Sequence, residues 1–437
     1  MQNARIAQDL RAIFVRRRPQ GTLDARARGC LNRRMRTGWI VGALVAVGAG
    51  VGVLAACVGD DPATPVVEAG APDAPVVVPP EAAPGVDASA PDGDAGEDPR
   101  SCGAPGHDCQ GGACVGGKCQ PVVLATTQNR PIQIAVDGDH LYWVNAGSLD
   151  GAGTACDPVR SDGSVVRSSL DGTGLTRVAD GLPCPGALAV GPDGVYFSTA
   201  AGPGQGAIWR VPKSGPPVAP VAVYTGLGLV YSLLFDGPTL YWSEDAQSGR
   251  VMRGLADGGA PSVFAYEQVN MPRALRAEGA SLYWITGYNN VGGNALGQLR
   301  GAPKASPGGG FDGGATSLVA PLRLLTAMTT DATRAFYAFG GEGQPGKIDT
   351  YTFGSGARAT LLEGTNAELI RGLAVDGTHV FVAGRYQSIT RVELATGKAE
   401  RFVTVQEFCT GIAVDATSVY VTSTEAGKVR RVRKPAP

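Results

Sequence analysis

The chain has 437 residues, and its 38 lysines and arginines nearly balance its 39 acidic residues, so the net charge is −1. This balance argues against a nucleic-acid-binding protein, which needs a basic surface to displace counterions. With 64 glycines and 31 prolines, the composition favours short strands and turns over a helical bundle. Only three histidines are present, which leaves little material for histidine-based catalysis or metal binding. We therefore expect no metal, no cofactor and no nucleic-acid partner.

The first 57 residues have the layout of an export signal that ends in a lipidation site. Residues 1–38 contain ten arginines and no lysine, and residues 39–58 carry no charge over a length that can cross a bilayer. This apolar run contains Leu54-Ala55-Ala56-Cys57, which resembles the lipobox of bacterial lipoproteins. The resemblance implies that Cys57 is acylated and becomes the new N-terminus, with the lipid as a membrane anchor. The alternative is an uncleaved signal anchor in which Cys57 is incidental.

Two further residues bear on the expected location. Translation from Met35 instead of Met1 gives the apolar run a basic region of ordinary length, so residues 1–34 are either a misassigned start or a cytoplasmic extension. Val58 follows Cys57, whereas an aspartate at that position resembles the inner-membrane retention signal of Gram-negative lipoproteins. We therefore expect a lipid-anchored protein of the cell envelope, in the outer membrane if the host has one.

A linker and a cysteine-rich segment follow the anchor. Residues 58–100 contain nine prolines and no aromatic residue, which predicts a disordered linker. In residues 101–120, four cysteines predict a small segment held by two disulfides, with three pairings left open. A zinc site that uses His107 is the alternative, although the spacing matches no known zinc module. The four cysteines are Cys102, Cys109, Cys114 and Cys119.

From residue 121 to the end, two apolar strands around an acidic or glycine-containing turn recur seven times. An arginine-containing third strand and a short fourth strand usually follow each pair. Repeats of roughly 40–50 residues built from short strands are typical of propeller blades. We predict an all-β, seven-bladed propeller, with six blades as the alternative if the loosely matching fifth copy is misread. The aromatic residues that mark the seven copies are Tyr142, Tyr196, Tyr241, Tyr283, Phe336, Phe381 and Tyr420.

The ring is predicted to close by pairing its two ends. The last copy stops after its third strand, at residues 429–433, and therefore lacks a fourth strand. Residues 121–126 read as a strand that has no partner in the first copy. Pairing this strand onto the last blade closes the ring and removes an exposed edge.

The repeat resembles the YWTD-type propellers of receptor ectodomains and their bacterial relatives, with affinity to NHL-type blades. Tyr241-Trp242-Ser243-Glu244 is the nearest copy of the first half of the motif, and residues 165–172 match the second half. The final aspartate of the family motif is replaced here by Glu244 or Asn145, and the receptor propellers have six blades. The resemblance therefore implies the fold and leaves the partner open.

A candidate ligand site is expected on the upper face, where the first strand of each blade begins. Counting back from the acidic turns places seven residues on this ring, which are Ile132, Gly186, Tyr231, Arg273, Thr326, Arg371 and Thr410. Asn145 and Glu244 end second strands on the same face, and with Tyr231, Arg273 and Arg371 they form the candidate site. Together these residues are expected to bind an anionic or sugar-like ligand. The alternative is that arginine and glutamate simply pair with each other at a solvated rim.

The remaining cysteines and histidines allow predictions about one further disulfide, one free thiol and the lower face. Cys156 and Cys184 lie in neighbouring loops, and closing 28 residues costs less entropy than closing a much longer loop, so we expect them to form a disulfide. Cys409 is then free and is predicted to be partly buried. The bond stiffens the long loop of blade one, which makes that loop the expected rim of a site. His140 and His379 fall in turns on the lower face and are expected to take no part.

These features predict a surface-tethered, non-catalytic propeller that binds a protein or glycan in the cell envelope. The first alternative is a propeller hydrolase or lyase with its active site at the channel mouth, although no matching catalytic set is found. A purely structural envelope protein is the third reading.

Overall fold

The computed structural model describes residues 98–435 except 154, 203, 246–248, 268–270, 288–295, 309–313, 320, 324, 341–345, 366–369, 385–387 and 406. The expected anchor with Cys57, and nearly all of the 58–100 linker, lie outside the described residues. Within the part that is described, no helix is long and apolar enough to span a membrane.

The described chain from residue 122 onwards forms a seven-bladed β-propeller, as the repeat predicts, and the six-bladed alternative is wrong. Seven antiparallel sheets of four strands each are present, and in six of them the strands pair in chain order. The first strand of every blade contacts the first strand of the next, and blade seven contacts blade one in the same way. The first strands therefore surround a central channel. We call the end where they begin the upper face and the end where they turn the lower face.

The strand bounds of the first four blades are as follows. Blade one has Pro131–Asp137, His140–Asn145, Gly163–Ser169 and Thr176–Leu182. Blade two has Leu188–Val190, Val195–Ala200, Gly206–Val211 and Val221–Leu227. Blade three has Leu229–Asp236, Thr239–Asp245, Arg250–Leu255 and Ser262–Tyr266. Blade four has Pro272–Glu278, Ser281–Thr286, Leu299–Pro303 and Thr316–Ser317, with a separate pair made by Leu296–Gly297 and Leu322–Arg323.

The last three blades complete the ring. Blade five has Leu325–Thr330, Arg334–Phe339, Gly346–Thr352 and Arg358–Thr365. Blade six has Ile370–Val375, His379–Gly384, Ser388–Glu393 and Ala399–Thr404. Blade seven has Gly411–Val414, Ser418–Ser423 and Lys428–Arg433, and its fourth strand is Val122–Ala125 from the start of the propeller.

This closure of blade seven by the N-terminal strand confirms the predicted pairing of the two ends. Val122 pairs with Arg431, Val123 with Arg430 and Ala125 with Val429. The bonds satisfy backbone groups that would otherwise form an open sheet edge.

The core consists of seven hydrophobic clusters, one between each pair of neighbouring blades. The second strands are buried on both faces, because each blade is packed between two others. Their aromatic residues reach across these contacts, as where the Tyr224 ring of blade two lies 4.7 Å from the Trp242 ring of blade three. This explains why the second strands are continuously apolar and do not alternate.

Polar contacts between blades repeat as well. Lys304 of blade four makes an ion pair with Asp236 in the turn of blade three at 2.8 Å, and its carbonyl accepts a hydrogen bond from Arg253 of blade three at 3.2 Å. Asp137, Lys213 and Arg167 form the same arrangement between blades one and two. The acidic turn and the third-strand arginine of the repeat therefore join each of these blades to its neighbour.

The cysteine-rich segment packs against the propeller. Its disulfides join Cys102 to Cys114 and Cys109 to Cys119, which settles the pairing left open by the sequence. Because these sulfurs are oxidised, the segment does not form the alternative zinc site. Both ring nitrogens of His107 face backbone carbonyls instead, those of Cys102 and Lys434, each at 2.6 Å.

Candidate functional site

A cavity of about 370 Å³ occupies the upper part of the central channel, and the residues described as lining it all belong to the beginnings or middles of first strands or the residues next to them. Six of the seven residues that the sequence places on the upper ring line this cavity, and Gly186 is not among the lining residues. The six are Ile132, Tyr231, Arg273, Thr326, Arg371 and Thr410.

Irregular pairing at the upper ends of the first strands shapes this lining. In blade six, Ile370 pairs with Gly384 and Gly372 pairs with Ala383, so that Arg371 is an extra residue outside the ladder. Tyr231 in blade three and Thr326 in blade five are extra residues of the same kind. A β-bulge of one residue bends the strand and re-aims a side chain, and here the bulged residues face the cavity.

In blade four the bulge brings two arginines to the same side. Arg273 pairs with Ile285 and Arg276 with Tyr283, so two residues between them oppose only Trp284. In a regular strand, residues three apart point to opposite faces, whereas one inserted residue restores both to one face. Both arginines therefore line the cavity. Ala274 in this bulge has a φ of 52°, a left-handed conformation that alanine rarely adopts.

Arg273 stacks on Tyr231 at the cavity wall. Its guanidinium carbon lies 4.5 Å from the centre of the Tyr231 ring, within cation–π range. Its Nε is buried and has no hydrogen-bond partner, and one Nη lies 3.8 Å from the sulfur of Met271. Tyr231 donates a 3.4 Å hydrogen bond to Asp245, and burial together with that carboxylate raises the pKa of Tyr231.

The other two arginines of the cavity also make no ion pair among the described residues. Arg276 donates to the carbonyl of Leu275 at 2.8 Å, and desolvation lowers its pKa, with Glu278 opposing the shift. Arg371 is exposed at the mouth. Among the described residues no ion pair involves Arg273, Arg276 or Arg371, and the described lining contains no carboxylate. The described lining therefore presents three arginines and no acidic side chain.

Two of the five predicted ligand residues do not reach the cavity. Glu244 is completely buried, where it accepts hydrogen bonds from Arg250 Nε at 2.5 Å and from the backbone N–H of Gly228 at 2.8 Å. Asn145 is 2% exposed and donates to Gln128 and Ser164. Both side chains end second strands, one layer outside the channel, and the structure uses them to hold loops at the upper face. Glu244 therefore does pair with an arginine, but its partner is Arg250 and its own side chain is buried, not at the solvated rim that the alternative expected.

The structure also contains the predicted disulfide between Cys156 and Cys184. Cys409 is free, as expected, and completely rather than partly buried. No described residue of the loop between Asn145 and Gly163 lines the channel cavity, so this loop is not part of the wall of that cavity. Its bridge to Cys184 ties the loop to the start of blade two.

The histidines of the turns stay on the lower face. His140 and His379 begin second strands next to the turns, and neither lines the channel cavity. Two further cavities lie among these turns, one of about 420 Å³ that includes His140 and Lys213 and one of about 460 Å³ that includes Asp171 and Arg431. Lys213 in the first already pairs with Asp137 of the neighbouring blade, and Arg431 in the second donates a hydrogen bond to Gln110 of the cysteine-rich segment.

Sequence reasoning missed three polar residues of the channel, which are Gln133, Ser232 and Arg276. Regular alternation places Arg276 away from the channel if Arg273 faces it, and only the bulge reverses this. No signal in the residue types of this strand marks the bulge. A search of the sequence for arginines without a nearby acidic residue would also have missed Arg276, since Glu278 is two residues away.

No protein-family model and no curated protein matches the chain. Several solved propellers do. Virginiamycin B lyase from Staphylococcus aureus matches with a TM-score of 0.53 at 16% identity, over 72% of this chain and 98% of the lyase. YCF48 bound to the D1 peptide matches with a TM-score of 0.52 at 11% identity, over 72% and 94%. The WD40 propeller of Doa1 matches with a TM-score of 0.50 at 13% identity, over 72% and 97%. At such identities these likenesses show the β-propeller fold alone.

Proposed function

We propose that the chain is a lipid-anchored protein of the cell envelope whose propeller binds a protein or glycan at the upper mouth of its channel, without catalysing a reaction. The observation that carries the proposal is the cavity of about 370 Å³ with Tyr231, Arg273 and Arg371 on its wall. Ligand pockets of this size with a few fixed polar groups are common in proteins.

The chemistry of the lining supports binding over catalysis. Its described polar groups are arginine, hydroxyl and amide groups, which donate hydrogen bonds and orient a ligand. The described lining includes no histidine, carboxylate or thiol that would serve as general acid, base or nucleophile. The hydrolase or lyase alternative has its support in the fold shared with virginiamycin B lyase.

The envelope location is supported by two independent features. The basic region, apolar run and lipobox precede the propeller, and three disulfides join described cysteines. Disulfides persist in oxidising compartments outside the cytoplasm. Both features fit an exported chain that is held at a membrane through Cys57.

Binding is tested with the full chain, extracted in detergent and applied to an array of envelope glycans and peptides. We expect specific binding that Arg371→Gln weakens and that Arg177→Gln, on an exposed outer strand, leaves unchanged. Equal binding by both variants would place the site elsewhere. Turnover of an array ligand by the purified protein would favour the hydrolase or lyase instead.

The anchor is tested by metabolic labelling with a radioactive fatty acid. We expect Cys57→Ser to abolish labelling and to release the protein from its lipid-dependent membrane association, while Cys30→Ser serves as the matched control and labels normally. Labelling of the Cys57→Ser variant at the native level would contradict lipidation at this residue.

A further inference from the structure

The channel cavity has the features of a site built for an anion. Three arginines, Arg273, Arg276 and Arg371, line one cavity of about 370 Å³. Like charges repel when they are brought together, and removing a cation from water without a partner is costly. Arg273 and Arg276 are partly removed from water, Arg371 is exposed at the mouth, and no carboxylate is among the described lining residues. An anionic occupant would offset the mutual repulsion of the three arginines.

Individual contacts lead to the same conclusion. The buried Nε of Arg273 has no hydrogen-bond partner, although buried donors in folded proteins are nearly always paired. The face of its guanidinium is already held by the Tyr231 ring at 4.5 Å, which leaves the N–H edge for a ligand. Arg276 has only the carbonyl of Leu275 as a described hydrogen-bond partner. A guanidinium edge matches the geometry of a carboxylate or a phosphate.

The size and the remaining lining indicate a small polar occupant. Gln133, Ser232, Thr326 and Thr410 supply an amide and three hydroxyl groups around the arginines. First strands of all seven blades contact one another around the channel, so an extended peptide has no open groove in which to lie. The amide and the three hydroxyl groups already make hydrogen bonds within the protein, and a single sugar ring, whose hydroxyl groups both donate and accept, is small enough to bond to them as well.

We propose that the upper channel binds one acidic sugar residue, whose carboxylate or phosphate group is held by Arg273, Arg276 and Arg371. This inference rests on the proposed function and names the ligand class of that site. The residues act by binding alone, with Arg371 at the exposed mouth and Arg276 deeper in the channel. Carboxylate and phosphate share the chemistry that the arginines recognise, and the experiment separates them.

The test is titration calorimetry of the detergent-extracted full chain with four probes at millimolar concentration. Glucuronate and glucose 6-phosphate carry the two anionic groups on one sugar ring, glucose is the neutral match, and inorganic phosphate is the anion without the ring. We expect at least one acidic sugar to bind about tenfold or more tightly than glucose and inorganic phosphate. The tighter of the two acidic sugars identifies the anionic group.

Variants show whether the arginines are responsible. Arg273→Gln and Arg371→Gln are expected to weaken binding of the acidic sugar about tenfold each, and higher salt to weaken it further, while Arg177→Gln changes nothing. Equal affinity for glucose, unchanged affinity in both channel variants, or binding of inorganic phosphate as tight as that of the sugars overturns the proposal.

The two proposals fail separately. If no acidic sugar binds but an array ligand still depends on Arg371, the acidic-sugar proposal is wrong and the binding function stands. If the array ligand is an acidic peptide, the sugar class is likewise wrong. If neither assay detects binding that depends on the channel, both proposals fail. Circular dichroism of each variant verifies that a lost signal does not come from unfolding.

Discussion

Two sets of arginines in this propeller differ in what they face. Third-strand arginines at the repeat position, such as Arg253, donate to carbonyls of the neighbouring blade. The channel arginines, such as Arg276, lie outside the repeated pattern and lack an ion-pair partner among the described residues. The comparison shows that Arg253 joins two blades, whereas Arg276 makes neither an ion pair nor a hydrogen bond to another blade among the described residues.

The largest effect is expected from removing a repeat arginine. Arg253 donates to the carbonyls of Lys304, Ser306 and Pro307 at 2.9 to 3.2 Å, and Arg253→Met leaves all three without this donor. We expect the free energy of unfolding to fall by about 2–3 kcal/mol, measured by urea denaturation. Arg177→Met, which removes an exposed arginine, is the control and should stay within about 0.5 kcal/mol of the native protein. Equal effects would remove the distinction between repeat and surface arginines.

Acid should weaken the contacts between blades and leave the channel arginines unaffected. Burial opposes ionisation of Asp376, but Lys434 Nζ at 2.5 Å and the backbone N–H groups of His379 and Thr378 outweigh it, so the pKa of Asp376 is lowered. Its folded pKa thus lies below the unfolded value of about 3.9, and the stability it contributes above that pH is lost as pH falls through the folded pKa.

The Asp376→Asn variant is therefore expected to lose about 1–2 kcal/mol at neutral pH and to show a shallower loss of stability below about pH 4. Melting curves across pH measure both. If the stability of Asp376→Asn falls with acid as steeply as that of the native protein, Asp376 contributes nothing to the acid sensitivity. Arg276→Met is the control, and its stability should fall with acid as steeply as that of the native protein.

The channel variant should change stability in the opposite direction from Arg253→Met. Desolvation lowers the pKa of Arg276, which means that folding disfavours its charged form. Without ligand, Arg276→Met is expected to stabilise the protein by about 1 kcal/mol, because a methionine fills the space without a desolvated charge. Calorimetric melting of the ligand-free protein measures this. A loss of stability similar to that of Arg253→Met would mean that Arg276 is a structural residue.

The smallest effect concerns equivalent cysteines in two blades. Cys184 precedes the first strand of blade two and is in a disulfide, whereas Cys409 holds the same place in blade seven as a free thiol. Burial raises the pKa of Cys409 to about 11, so at pH 8 it is a neutral, inaccessible thiol. Peptide mapping should find Cys409 unmodified by iodoacetamide in the native protein and modified after unfolding. Rapid native modification would show that this region opens.

Much of the fold was predictable because it follows from local and repeated patterns. Seven aromatic second strands, separated by turns, specify seven blades, since each blade must bury both faces against its neighbours. The unpaired strand at residues 122–125 was predictable for a related reason, because an open edge is unfavourable. The Cys156–Cys184 bond followed from loop length.

The candidate site was predictable only in part, because its residues depend on details of strand pairing. Counting from the acidic turns correctly placed Tyr231, Arg273 and Arg371 on the channel. The same counting could not show that a bulge turns Arg276 to that side, since one extra residue in a ladder has no mark in the sequence.

The amino-acid sequence by itself determined the architecture of this protein, because burial of repeated apolar strands and closure of the ring are imposed by the pattern of residues. Only the tertiary structure decided which charged side chains are paired with an opposite charge and which are not. Glu244 is buried and pairs with the partly exposed Arg250 of the same blade, so their charges neutralise each other. Arg273, Arg276 and Arg371 come from two blades and meet at a channel with no described acid in its lining. A charge is compensated or left free according to its neighbours in space, which the order of residues in the chain does not show.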